Sequence, residues 1–392
     1  MSDYTRRQLL GRGAAGASIL TLPGLLAACG SGGGIKAAGG SSTTTAPVKR
    51  QLAKTLRFSN WPLYIDINEK TKSHPTLEEF TKKTGVNVKY VEDINDNDQY
   101  FGKIEGPLSK GQSIGRDIIV LTDSSDIPGR MIKLGWVQKI DKQAIPNIEN
   151  LQPALAHPSF DRNRDYTLPW QSGMTGIGYD PNKVGGELTS ISRLLEDPKL
   201  KGKITMLSLM SDSVGVVLLE NGDDPVNPSK AAFDNAVARL QKAVDSGQIR
   251  QFTGNDYAPL LAKGDVWAAL AWSGDMVQLQ ADHPHLKWNL PETGGMIWTD
   301  NMMIPTGGNV YTASVYMNYV YDPKVAAKIE DYVNYICPVV GADKVLLKTD
   351  PDVAKNPLIF PTKAMLANVH IMGPQALSNP VFKKKFAALI GA

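Results

Sequence analysis

Cysteine is nearly absent: the 392 residues hold two, Cys29 and Cys337. A disulfide framework is therefore not on offer. Histidine is scarce too. His74, His157 and His370 form no pattern, and His283-Pro284-His285 beside Asp282 is a loop triplet that reads as solvated side chains rather than a metal site. Charge of one sign is missing, since 42 basic residues face 39 acidic ones for a formal net charge of +3. Residues 1–29 carry three arginines and one aspartate, so the remainder is close to neutral. That balance argues against a nucleic-acid partner. It also leaves no long-range field to steer an ion, so any charge preference must come from local geometry. No apolar run makes a good match to the ~20 residues that span a bilayer.

What is there is an ordinary soluble composition, 42% apolar and 21% charged, in a chain long enough for two or three domains. The N-terminus is an address. Thr5-Arg6-Arg7-Gln8-Leu9-Leu10 precedes a weakly apolar, Gly- and Ala-rich run and a small-residue exit, the layout of a secretory signal over residues 1–28. The paired arginines resemble a twin-arginine export signal. Leu26-Ala27-Ala28-Cys29 resembles a bacterial lipobox, which implies cleavage before Cys29 and lipidation of its thiol. Residues 29–54 form a low-complexity tether that would span roughly 25–30 Å. Gly11-Arg12-Gly13-Ala14-Ala15-Gly16 matches a dinucleotide pattern, but no strand precedes it and it falls within the export signal.

From residue 55 onward, short strands alternate with helix-period stretches. Strands are expected at 55–60, 86–91 and 117–122, the last a continuous apolar run of the kind buried on both faces. Helices are expected at 76–84, 100–108 and 127–134, the first and last closed by Gly85 and Gly135. The alternation argues for a parallel sheet in an α/β lobe. The extended, glycine-rich segment 166–179 breaks the rhythm, as a crossing between lobes would. A second α/β set follows, with strands near 203–209 and 266–272 and an Ala-rich helix over 229–246. A further amphipathic helix is expected over 324–336. Cys337 at its end reads as a buried free thiol.

Four of the seven tryptophans lie within residues 266–305. Two stand close before a carboxylate: Trp272 before Asp275, and Trp298 before Asp300. Each carboxylate follows an apolar run and is expected at a strand's carboxyl end, where open α/β sheets bind ligands. An indole face beside an acid suits a cationic amine, because the ring attracts the ammonium and the carboxylate takes its N–H donors. Trp267 and Trp288 read as packing. Trp170 stays open between packing and a cleft wall, and Asp123 reads as a turn residue.

These motifs resemble the substrate-binding lipoproteins of polyamine (spermidine/putrescine) ABC importers. The resemblance rests on the order and spacing of Phe58-Ser-Asn-Trp61-Pro-Leu-Tyr64, Asp117-Ile-Ile-Val, Leu134-Gly-Trp-Val-Gln-Lys-Ile-Asp141, Leu168-Pro-Trp, Thr175-Gly-Ile-Gly-Tyr179, Leu261-Ala-Lys-Gly-Asp265, Trp272-Ser-Gly-Asp275 and Trp298-Thr-Asp300. It implies a two-lobed, type II periplasmic-binding-protein-like α/β fold with crossover hinge strands. Lobe 1 is expected over 55–171 plus about 300–338, and lobe 2 over about 172–299 plus 339–392. It further implies a polyamine in the cleft and delivery to an ABC permease, by a monomer that needs no cofactor. By resemblance the ligand-binding residues are Trp61, Tyr64, Thr122, Ser124, Asp212, Trp272, Asp275, Trp298 and Asp300. Asp212 has a competing reading as a helix cap at Ser213. A tyrosine of the family has no clear counterpart around Val339-Val340-Gly341.

Two alternatives stand beside this reading. The same scaffold accommodates another organic cation or an anion. A secreted serine hydrolase finds one formal match in Gly111-Gln112-Ser113-Ile114-Gly115, though a nucleophile elbow needs a strand before the serine and a helix after it, the reverse of the order here.

Overall fold

The computed structural model describes residues 50–94 and 97–391. The export signal, Cys29 and nearly all of the tether lie outside the described residues. Among those described, no helix is long and apolar enough to cross a membrane.

The strands are β1 (Thr55–Asn60), β2 (Asn87–Glu92), β3 (Ile118–Thr122), β4 (Val137–Gln138), β5 (Thr167–Tyr179), β6 (Ile204–Leu207), β7 (Ile249–Thr253), β8 (Ala268–Trp272), β9 (Lys287–Asn289), β10 (Gly295–Pro305) and β11 (Val369–His370). The helices that matter here are α1 (Pro75–Thr84), α2 (Asn97–Ser109), α3 (Ile127–Lys133), α4 (Met210–Glu220), α5 (Lys230–Asp245), α6 (Tyr257–Lys263), α7 (Ser273–Asp282), α8 (Val310–Val320), α9 (Pro323–Val333), α10 (Ala342–Thr349) and α11 (Pro380–Ile390).

One sheet runs in the order β2-β1-β3-β10-β5-β8-β6-β7. The neighbours of β1 and of β6 are parallel to them. The two long strands β5 and β10 lie between these parallel groups and are antiparallel to each other and to the strands they flank. Parallel neighbours need crossover helices, which cover the sheet faces. Accordingly Ile118-Ile-Val-Leu-Thr122 is buried at every position.

Local signals set the helix ends. Pro75 opens α1 and Gly85 closes it in the left-handed region at φ 75°, a conformation that costs glycine little. Ser229 caps α5 by accepting the Ala232 N–H. The expected helix over 324–336 stops earlier, at Val333, because Asn334 turns left-handed at φ 59°.

Apolar side chains gather into separate cores, and both long strands change core midway. On β5, Trp170 packs in the first core and Met174 in the second; on β10, Trp298 packs in the first and Met296 in the second. A third crossing runs alongside, where Ser172 and Ile336 exchange both backbone hydrogen bonds at 3.0 and 2.8 Å. This is the two-lobed α/β arrangement. The C-terminal segment divides differently from the boundary at 338/339. Val339, Ala342, Leu346 and Ala354 pack into the first core, and Leu358, Met365 and Val369 against the second. The reason is α10, which packs on α9 of the first lobe.

Candidate functional site

Five strands, β1 and β3 from the first lobe and β6, β7 and β8 from the second, aim their carboxyl ends at one cavity of about 560 Å³. That is where α/β sheets hold ligands. Trp61 and Tyr64 follow β1, Thr122 ends β3 with Ser124 just beyond it, and Trp272 ends β8 with Asp275 just beyond it in α7. Trp298 and Asp300 come from β10 and Tyr335 from the third crossing. The described lining contains three aspartates (Asp256, Asp275, Asp300) and no lysine, arginine or histidine.

Asp300 does not end a strand, as its apolar run suggested, but sits in the middle of β10. Its place is fixed by register: it lies directly opposite Thr122 of β3, so the two side chains are cross-strand neighbours. The Thr122 hydroxyl donates to Asp300 Oδ1 at 2.5 Å and the Tyr64 phenol to Oδ2 at 2.6 Å. On the other side the β5–β10 register shifts between Asp300 and Asn301, leaving Trp170 as the extra residue, a bulge of the kind that re-aims side chains near sites. Burial pushes the Asp300 carboxyl up to about 7, against the pull of the Thr122 and Tyr64 hydroxyls, with nearby Asp123 adding to the rise.

Asp275 lies in the first turn of α7, where the positive end of the helix favours an acid. Three donors hold it: Tyr335 Oη to Oδ1 at 2.7 Å, and Tyr257 Oη and Asn255 Nδ2 to Oδ2 at 2.7 and 2.9 Å. Both cleft carboxylates are thus fixed by tyrosines, each from a different element.

Aromatic rings wall the space between them. Trp272 and Trp298 meet edge to face with centroids 6.0 Å apart, and Trp298 leans on Tyr335 at 5.6 Å. Two glycines make room for these rings. A Cβ on Gly173 would stand 2.4 Å from the Trp298 ring, and one on Gly274 would stand 2.4 Å from the Tyr335 ring. Trp61 is tied by its indole N–H to the Val120 carbonyl at 3.1 Å. Leu63, between Trp61 and Tyr64, is held at φ 57°, an uncommon conformation for a bulky side chain.

Eight of the nine expected ligand residues line this cavity; Asp212 does not. Asp212 is 1% exposed, inside the first turn of α4 rather than capping it. Its oxygens accept from Thr175 Oγ1 and Trp272 Nε1, both at 3.1 Å. It therefore sits behind Trp272 and orients that indole. Burial raises its carboxyl to about 6.

The open readings resolve by packing. Trp170 donates its indole N–H to the Tyr64 carbonyl at 3.1 Å and packs on Phe58 in the first core. Trp288 lies over Gly176 and donates to the Ala271 carbonyl. Trp267 is stacked under Lys203, away from the cleft. Asp123 accepts the Thr299 N–H at 2.8 Å and so ties the end of β3 to β10. Ser113 follows α2 and precedes β3 in an exposed loop. Among the described residues, no group of three metal-ligating side chains forms around His283 and His285 or anywhere else.

Sequence reasoning missed Tyr335, Tyr257 and Asn255. Tyr335 falls within the helix expected over 324–336, whereas α9 ends at Val333 and leaves it beside the Ser172–Ile336 bridge of the third crossing. The other two lie beyond β7, a strand whose Ile249-Arg-Gln-Phe-Thr253 carries too few apolar residues to stand out.

The profile of the family described as bacterial extracellular solute-binding protein matches residues 76–362. The spermidine/putrescine-binding periplasmic protein 1 of Haemophilus influenzae is 26% identical over 323 residues, covering 82% of this chain and 87% of that protein. The putrescine-binding periplasmic protein PotF of Escherichia coli is 29% identical over 344 residues, covering 82% and 88%. Among solved structures, the spermidine/putrescine ABC transporter substrate-binding protein PotD from Streptococcus pneumoniae superposes with a TM-score of 0.71 at 22% identity, covering 86% of this chain and 97% of that one. The profile covers well over half of the chain, and the fold agrees with it: this protein belongs to the bacterial extracellular solute-binding proteins, which bind and do not catalyse.

Proposed function

We propose that this protein captures a polyamine of the putrescine or spermidine class in the inter-lobe cavity and hands it to the permease of an ABC importer. One observation carries the reading: Asp275 and Asp300 line one cavity walled by Trp61, Trp272 and Trp298, with no basic side chain in the described lining. A buried ammonium without a counter-charge costs several kcal/mol, so a slender dication needs a carboxylate near each end. Indole faces along its methylenes add roughly 0.5–2 kcal/mol per cation–π contact once water is excluded. Ser124 adds a hydroxyl-bearing side chain to the same lining. The names of the relatives in Haemophilus influenzae and Escherichia coli support the same ligand class.

We extend the reading to its setting. The chain is exported, acts as a monomer and is anchored at the outer face of the membrane by lipid on Cys29. Calorimetry with putrescine, spermidine, spermine, a set of amino acids and dicarboxylates tests the ligand class. Saturable heat with the polyamines alone is expected. Binding of a dicarboxylate in their place would turn the reading to the alternative, an anion on the same scaffold.

A further inference from the structure

The crossing strands have a second side. Side chains alternate along a strand, so Trp298 and Asp300 face the polyamine cleft while Ile297 and Thr299 face away from it. Behind them lies a larger cavity of about 1160 Å³, bordered by Ser172, Ile297, Thr299 and Ile336 of the three crossings. Its walls belong to both lobes. Leu155 and Phe360 pack on the first core, Ile297 and Val369 on the second.

Two features of this cavity point to an occupant. Of the nine large hydrophobic side chains exposed among the described residues, three stand around it: Val340, Leu366 and Ile371. Exposed apolar side chains gathered at one cavity mark a binding surface more than scattered ones do. Arg162 and Lys344 stand on the same walls with no ion pair among the described residues, whereas the lining acids are Asp123, already accepting the Thr299 N–H, and Asp343.

We propose that the cavity behind the crossing strands is a second ligand site, taking an amphiphilic monocarboxylate. The apolar tail lies against Val340, Leu366 and Ile371. The carboxylate lies toward Arg162 and Lys344. Because the walls belong to different lobes, an occupant holds them apart, and opening the front cleft would press them together. Occupancy therefore favours the closed clamp. That coupling, unlike the site itself, rests on the polyamine reading, and linkage makes it reciprocal.

Decanoate is the probe, titrated calorimetrically below its micelle concentration into the protein with no amine present. One saturable site is expected. Ile371→Asp should weaken it at least about tenfold, since a carboxylate replaces apolar lining, and Arg162→Glu likewise, with unfolding midpoints showing both variants folded. Asp300→Ala should leave decanoate binding unchanged. Absence of saturable binding would overturn the site, as would loss in Asp300→Ala with retention in Ile371→Asp, which puts decanoate in the front cleft. Stopped-flow release of spermidine should slow at saturating decanoate, and an unchanged rate would overturn the coupling. A protein that takes decanoate but no polyamine would keep the site and refute the cleft reading, so the two failures are distinguishable.

Discussion

Tyr64 and Tyr335 meet edge to face, centroids 5.4 Å apart with rings at 90°, and each phenol donates to a different carboxylate. Tyr64 holds Asp300 and Tyr335 holds Asp275. One tyrosine follows β1 and the other lies at the third crossing, so one aromatic contact links the supports of both acids. The cleft is therefore a single unit, in which the geometry of one carboxylate depends on the other's partner.

Removing either acid is expected to weaken amine binding by at least about 2 kcal/mol, because truncation strands a buried ammonium. Asp275→Ala and Asp300→Ala titrated with putrescine and spermidine check this. Unchanged affinity in both would place the amine elsewhere.

Asp300 makes the binding pH-dependent. In the free protein burial raises its carboxyl to about 7, and an ammonium beside it favours the ionised form, so binding expels a proton near neutrality. Affinity should climb as pH rises from about 5 to 8 and then level off. Calorimetry at pH 6.5 in buffers of different ionisation enthalpy should show proton release, and proton uptake would contradict the assignment.

The same group penalises the ligand-free fold. Its folded pKa is raised above the unfolded value, so the stability it contributes is present below about pH 4 and is lost as pH rises toward 7. Asp300→Asn should therefore stabilise the free protein at pH 7 by on the order of 1–2 kcal/mol while abolishing amine binding. Unfolding midpoints with and without spermidine measure both effects.

Gly274→Ala should damage the site without touching a ligand contact. The new Cβ would stand 2.4 Å from the Tyr335 ring, which must shift and release Asp275. Amine affinity is expected to fall by at least about 1 kcal/mol, the usual worth of one such hydrogen bond. Gly102→Ala, whose Cβ would meet nothing within 4 Å, is the matched control and should bind normally.

Cys29 carries the anchoring proposal. Expressed in its own host, the protein should fractionate with membranes, and Cys29→Ala should release it into the soluble extracytoplasmic fraction. Equal membrane association of both forms would contradict lipidation.

Much of this is legible in the amino-acid sequence. Continuous apolar runs such as 118–122 announce buried parallel strands, and Gly85 and Ser229 mark helix ends by their own chemistry. The indole–acid pairs at 272–275 and 298–300 pointed to the cleft because both features lie a few residues apart in the chain. What stayed hidden depends on distant pairing. Nothing local in Thr-Asp-Asn tells that β10 continues through Asp300 with a bulge opposite, because the register is set by β3 and β5. Asp212 is adjacent to the cleft in space, and only the fold shows that Trp272 stands between them. Tyr335 was missed for a single residue's conformation, the left-handed Asn334 that ends α9 early.

The most direct measurement is a crystal structure of the protein with spermidine bound. The account predicts ammonium nitrogens within hydrogen-bonding distance of the Asp275 and Asp300 carboxylates, with methylenes lying along Trp272 and Trp298. Density for the amine outside this cavity, or in it but touching neither carboxylate, would contradict the account.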